Sequence, residues 1–120
     1  MESNILNMVQ NVGTHRIYQP GEKVFVEGSP GSSMYVVLDG NIEIYVGGKS
    51  VEVAGRGSII GEMALIDSIA RSATVVAQDY CVLAQVNRNQ FLLLMQKTPR
   101  FGLFVMRTLV TRLRNMDAMM

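Results

Sequence analysis

The chain has 120 residues, 48% of them hydrophobic, enough to bury one core but not a core plus a second folded module. Its 11 basic and 10 acidic residues leave a net charge of +1, so no global excess of positive charge draws it onto nucleic acid or a membrane surface. One cysteine, Cys81, and one histidine, His15, exclude a disulfide framework, zinc-finger spacing, iron–sulfur ligation and His-cluster metal sites.

No basic residue precedes Arg16, and no apolar run reaches the about 18 residues of a membrane span, so a soluble, cytoplasmic chain is expected. Asn4–Val12, with Ile5, Val9 and Val12 on one side, predicts a short amphipathic helix within 1–12. From Gly13 to Gly61 the sequence holds ten of its eleven glycines, a density of turns that implies short strands. Pro20-Gly21 and Gly28-Ser29-Pro30-Gly31 punctuate strands at Arg16–Gln19 and Lys23–Glu27. Asp39-Gly40 joins Ser33–Leu38 to Asn41–Val46, where Ile42, Ile44 and Val46 alternate with polar neighbours. Gly47-Gly48 supplies a two-residue hairpin loop into Lys49–Val53. An irregular stretch runs from Gly55 to Arg71, and strands at Ser72–Ala77 and Tyr80–Val86 follow. About eight antiparallel strands at this spacing argue for a barrel or jelly roll.

The last third is helical. Asn87 and Gln90 form a capping box ahead of Phe91–Met95, and Thr98-Pro99 opens a second helix to about Asp117. Leu103, Met106, Val110 and Leu113 recur at spacings of three and four, the pattern of a helix–helix seam. Phe101, Phe104, Val105 and Leu109 make the helix apolar on a second side, so two packing surfaces are expected. Arg107, Arg112 and Arg114 read as a solvated basic face favoured by the helix dipole. Cys81 reads as a small core residue, His15 as a surface residue, and the nine methionines as gap fillers and a frayed tail at Met119 and Met120.

The segment Gly61-Glu62-Met63-Ala64-Leu65, followed nine positions after Glu62 by Arg71-Ser72-Ala73, concentrates the chemistry. A small-residue turn entering one helical turn presents unpaired N–H groups to anions, and Arg71 adds a permanently charged fork suited to phosphate. Glu62 beside a phosphate makes sense if it accepts from a hydroxyl pair such as a ribose. Small residues at Ala64 and Ala73 admit a close backbone, so the ligand read from these residues is a phosphorylated sugar of modest charge. A surface ion pair between Glu62 and Arg71, bracing the loop, is the structural alternative.

This order of Gly-Glu-Met-Ala-Leu, an irregular spacer, then Arg-Ser-Ala-Thr-Val resembles the phosphate-binding cassette of cyclic nucleotide-binding domains of the catabolite activator and cAMP-dependent kinase regulatory-subunit type. Pro20–Gly28, Gly31, Tyr35-Val36-Val37, Gly40, Leu83, Val86, Arg88 and Phe91 extend the likeness over residues 12–115. The resemblance implies a mainly β fold, an eight-stranded antiparallel β-roll with a short N-terminal helix and two C-terminal helices. It implies one domain over 1–120, with the roll at 13–87, the cassette at 60–73 and the C-terminal helices at 88–117.

Carried over, the resemblance assigns Glu62 to the ribose 2′-hydroxyl, Arg71 to the phosphate oxygens, backbone amides of Ala64 and Ser72 to further phosphate contacts, and Gly61 and Met63 to the shape of the sugar pocket, with Ala73 a further ligand-binding position. The ligand implied is cAMP or cGMP, with cAMP favoured and neither a metal nor a cofactor required. Where many members have proline before the arginine this chain has Ala70, which predicts a more flexible loop at Asp67–Ala70. No general base, metal cluster or activated nucleophile is visible, so a receptor rather than an enzyme is expected. With no helix-turn-helix after the long helix, a DNA reader is not expected. The chain's output would be a homodimer seam or an effector in trans, and the alternative is an interaction or dimerisation module with a relic cassette. Charge divides the chain, residues 1–87 carrying five basic and nine acidic residues, net −4, and residues 88–120 six basic and one acidic, net +5.

Overall fold

The computed structural model describes residues 2–67 and 70–119. The elements run α1 (Glu2–Val9), β1 (Thr14–Tyr18), β2 (Lys23–Phe25), β3 (Ser33–Asp39), β4 (Ile42–Val46), β5 (Lys49–Ala54), β6 (Ile59–Ile60), α2 (Met63–Asp67), β7 (Thr74–Ala77), β8 (Cys81–Asn87), α3 (Arg88–Lys97) and α4 (Pro99–Met119). The strands form two four-stranded antiparallel sheets, ordered β1-β8-β3-β6 and β2-β7-β4-β5. The eight-stranded roll with flanking helices is thus present. Ile59–Ile60 pairs with Val36 and Tyr35 as a strand inside the stretch expected to be irregular. Two residues are too few to show a period, which is why sequence reading passes over them. The strand expected from Ser72 begins at Thr74, leaving Ser72 and Ala73 bent beside Arg71.

Strands β3 and β8 are buried on both faces, and their alternation separates two clusters. Met34, Val36, Ala84 and Val86 point outward, where Ile5, Leu6 and Val9 of α1, Phe91 and Leu94 of α3, and Phe101 and Val105 of α4 cover them. Tyr35, Val37, Cys81 and Leu83 point inward and meet Ile42, Ile44, Ile60, Val75 and Ala77. Period-2 side-chain placement thus lets two strands serve as the floor of a helical layer and as a wall of the roll.

Local chemistry sets the junctions. Asn87 caps α3 through a complete capping box, its side chain accepting from the Gln90 N–H while Gln90 accepts from the Asn87 N–H. Asn41 after the β3–β4 turn donates its backbone N–H at 2.7 Å and its side-chain amide at 3.2 Å to the two oxygens of Asp79 in the β7–β8 turn. These bonds, the backbone one foremost, hold the Asp79 carboxyl below its ordinary value of 3.8. A depressed native value means a stabilising contribution complete above 3.8 and lost as pH falls through the lower native value. Asp79→Asn should therefore lower Tm at pH 6 and flatten its decline toward pH 3, with the two proteins converging at the acid end. A thermal-melt series across that range tests this.

The buried Cys81 thiol, pushed up by burial, contacts the Asn41 and Asp79 carbonyl oxygens, as suits a core residue. His15 is exposed against the Gln10 carbonyl oxygen. Ser68, Ile69 and Met120 lie outside the described residues, so the expectation of a flexible 67–70 loop, and that of a frayed tail at Met120, fall there. Among the described residues no helix is long and apolar enough to cross a membrane.

Candidate functional site

The cassette begins at the edge of the first sheet. Gly61 follows β6 with φ +76°, a conformation that L side chains rarely adopt, and turns the chain so that Glu62 leads into α2. A Cβ at Gly61 would lie 2.5 Å from Arg71 Nη1 and 3.2 Å from both the Phe25 ring and the Ser33 carbonyl oxygen, so the position is closed to side chains on steric grounds too. Within α2, Ala64 and Leu65 are buried, whereas Met63 is exposed.

Arg71 is fixed by backbone and ring together. Its N–H donates to the Ser29 carbonyl and its own carbonyl accepts from Gly28 N–H, each at 2.9 Å, so the turn after β2 carries it. Arg71 as a whole is only 6% exposed. The guanidinium carbon sits 4.1 Å from the Phe25 ring centroid, Nη1 donates to the Gly61 carbonyl oxygen at 3.2 Å, and buried Nε has no hydrogen-bond partner. A Cβ at Gly31 would fall on this guanidinium, which explains a glycine there. Burial lowers the Arg71 pKa from its ordinary value, with the nearby Tyr35 and Glu62 opposing that shift. An arginine nevertheless stays charged at neutral pH. A buried cation resting on an aromatic face, with an orphan N–H and no salt bridge among the described residues, is poised for an anion.

Glu62 is 3% exposed and does not pair with Arg71. Its Oε1 accepts instead from Nη1 of Arg112 on α4. Arg112 also donates Nε to Glu52 Oε1 at 3.1 Å and Nη2 to Glu52 Oε2 at 3.3 Å and to the Ile59 carbonyl oxygen at 2.8 Å. The expectation of a solvated Arg107, Arg112 and Arg114 face is therefore corrected at Arg112. Burial works against its charge, but Glu62 and Glu52 outweigh it and the pKa is raised. The ion pair weighed between Glu62 and Arg71 exists with a different cation.

The structure thus brings together Gly61, Glu62, Arg71 and the small flanking residues. Ser72 is exposed, its hydroxyl 3.7 Å from the Met63 sulfur, and Ala73 packs partly buried on the inner cluster. Phe25, Gly31, Glu52 and Arg112 join the site without having been assigned to it from sequence. For Arg112 a signal existed, since it continues the inward period of Phe101, Val105 and Thr108 with a charged residue. Among the described residues no group of three or more His, Cys, Asp or Glu could hold a metal ion.

A two-sheet roll capped by helices carries a buried arginine and a buried carboxylate on one segment, the arrangement of a ligand-binding domain. The chain belongs to the cyclic nucleotide-binding domain family, whose model matches residues 15–98. The cyclic AMP receptor protein of Thermus thermophilus is 31% identical over 107 residues, 85% of this chain and 50% of that protein. A cGMP-dependent protein kinase of Plasmodium berghei is 32% identical over 82 residues, 68% of this chain and 10% of the kinase. The crystal structure of the Thermus thermophilus catabolite activator protein superposes with a TM-score of 0.84 at 28% identity, covering 96% of this chain and 56% of that one. The chain spans between 10% and 56% of the length of these relatives, so the shared region is one part of each.

Proposed function

We propose that the chain is a cyclic nucleotide receptor, with cAMP as its ligand, working in the cytoplasm and relaying occupancy through α3 and α4. The observation that carries this reading is Arg71, a buried guanidinium without an ion-pair partner among the described residues, anchored to the β2 turn and facing the Glu62 segment. Its fork would hold the phosphate oxygens, with amides of Ala64 and Ser72 alongside, and Gly61, Met63 and Ala73 would bound the sugar. Glu62 would accept from the ribose 2′-hydroxyl, and its pairing with Arg112 removes the repulsion that a bare carboxylate would exert on the phosphate. Relatives named for cAMP and for cGMP both match, and Ser72 does not decide between them, since a hydroxyl after Arg71 can assist guanine recognition and is also compatible with cAMP.

Output is assigned to α4. Leu103, Met106, Val110 and Leu113 form an outer stripe, each between 46% and 56% exposed, opposite the face that Phe101 and Val105 bury. A homodimer seam suits this stripe. In a parallel pair Arg107 and Arg114 of one helix lie beside Gly102 and Leu109 of the other rather than another arginine. An effector in trans on the same stripe is the other outlet.

Thermal shift and calorimetry against cAMP and cGMP test the reading. At ligand near 100 times Kd, mass action adds about 2.7 kcal/mol, which should raise Tm by several degrees. Neither shift nor heat up to millimolar nucleotide would overturn it in favour of an interaction module with a relic cassette. A solution mass of one chain at tens of micromolar would remove the seam.

A further inference from the structure

We propose that Glu52 is a positioning residue for the ligand-binding carboxylate, acting through Arg112, so that docking of α4 and the grip of Glu62 on a ligand hydroxyl form one coupled equilibrium. The inference rests on the reading of Glu62 as a hydroxyl acceptor.

Three elements remote in sequence meet at one guanidinium: β5 through Glu52, the cassette through Glu62, and α4 through Arg112 itself. The group is rigid and planar, so fixing one edge fixes the direction of the rest. Glu52 takes Nε and Nη2 as a fork at 3.1 and 3.3 Å, and the Ile59 carbonyl oxygen takes Nη2 a second time at 2.8 Å. Nη1 is left aimed at Glu62. The Glu62 side chain is 4% exposed, and a carboxylate so buried is costly without a partner. Arg112 supplies one and occupies only Oε1. Among the described residues it is the sole hydrogen-bond donor to that carboxylate, which leaves Oε2 for a ligand hydroxyl.

The sign of the coupling follows. A hydroxyl on Oε2 and Arg112 on Oε1 both require the same ordered Glu62 side chain, so whichever contact forms first removes an ordering cost from the other. Linkage makes this reciprocal: a ligand that orders Glu62 tightens α4 against the roll by the factor that α4 docking adds to affinity. Glu52 sets how firmly Arg112 is held for that purpose. Its side chain is 33% exposed, beside an open groove of about 420 Å³ between α4 and the β5–β6 region, so this half of the contact is the one that salt weakens.

The test is a cycle of protein and ligand. Binding of cAMP and of its 2′-deoxy analogue is measured by calorimetry on the wild type and on Glu52→Gln, which keeps shape and removes charge. Contacting groups in one network are energetically coupled, so Glu52→Gln should lose on the order of three- to tenfold affinity for cAMP and bind the 2′-deoxy analogue as the wild type does. Arg112→Lys, which keeps the charge but lacks the fork, should repeat the pattern and covers the case in which Glu52→Gln folds poorly. Amide exchange in α4 of the unliganded protein should be faster in both variants, and in the wild type cAMP should slow it. Equal losses for both nucleotides, or no loss, overturn the inference while leaving the receptor reading in place. Failure of the wild type to bind either nucleotide overturns the receptor reading and the inference with it. Unchanged α4 exchange in both variants overturns the tether itself, whatever the nucleotide data.

Discussion

Arg71→Met should have opposite effects on stability and on binding: an unchanged or higher Tm without nucleotide, and a nucleotide affinity reduced about 10- to 150-fold. The first half follows from what Arg71 lacks. The residue is 6% exposed, has no salt bridge among the described residues and leaves buried Nε unbonded, so the unliganded protein bears the desolvation of a cation with little in return. Methionine fills nearly the same volume against Phe25 and has nothing to desolvate. The second half follows from what a phosphate would gain: hydrogen bonds to a charged group contribute about 1.5–3 kcal/mol, which is the stated loss in affinity. A destabilised site kept for its function gives this pairing of signs, whereas a structural arginine would lose stability on replacement. Melting curves with and without cAMP read both halves in one experiment. If the variant keeps the wild-type ligand-induced shift, Arg71 does not hold the phosphate. If its unliganded Tm falls steeply, the guanidinium is part of the scaffold.

The β-roll was legible because its signals are local. Asp39-Gly40 and Gly47-Gly48 sit where the chain turns with positive φ at Gly40, Gly47 and Gly48, and the alternation from Ile42 to Val46 sets the register against β5 and β7. Asn87 and Gln90 specify the start of α3 through groups three residues apart. Glu62 and Arg71 were legible as a motif, but not in their pairing. Which cation reaches Glu62 depends on where α4 lies across the cassette, and Glu62 to Arg112 is a separation of 50 residues that no local period encodes. The same holds for Gly31, whose reason is the Arg71 side chain forty positions on. A charged residue on the inward period of a helix is the trace such a contact leaves, and at Arg112 that trace was read as solvent-facing. Glu52 left even less, an acidic residue in an edge strand whose neighbours are mostly exposed.

Phe101→Ala should cost about 3–5 kcal/mol, the range for deleting a fully buried phenylalanine, and lower Tm by on the order of 10–25 °C. Phe101 is wholly buried at the second residue after Pro99 and meets Phe91 edge-on, with ring centroids 5.7 Å apart at 69°. It belongs to the outer cluster with Met34, Val36, Ala84 and Val86, so the cavity would open between the helices and the roll. Arg71, Phe25 and Tyr35 stand in the inner cluster or against it, on the far side of β3. Two clusters divided by one strand predict two separable effects. The helices loosen, exchange in α4 accelerates, and the phosphate contacts persist, so cAMP should still raise the Tm of the weakened protein. Phe101→Leu, which keeps much of the volume, should recover most of the loss. A drop of only a few degrees would mean that α4 is held by Arg112 and its two carboxylates rather than by packing. Loss of the ligand-induced shift without unfolding would mean that the helical layer shapes the pocket directly.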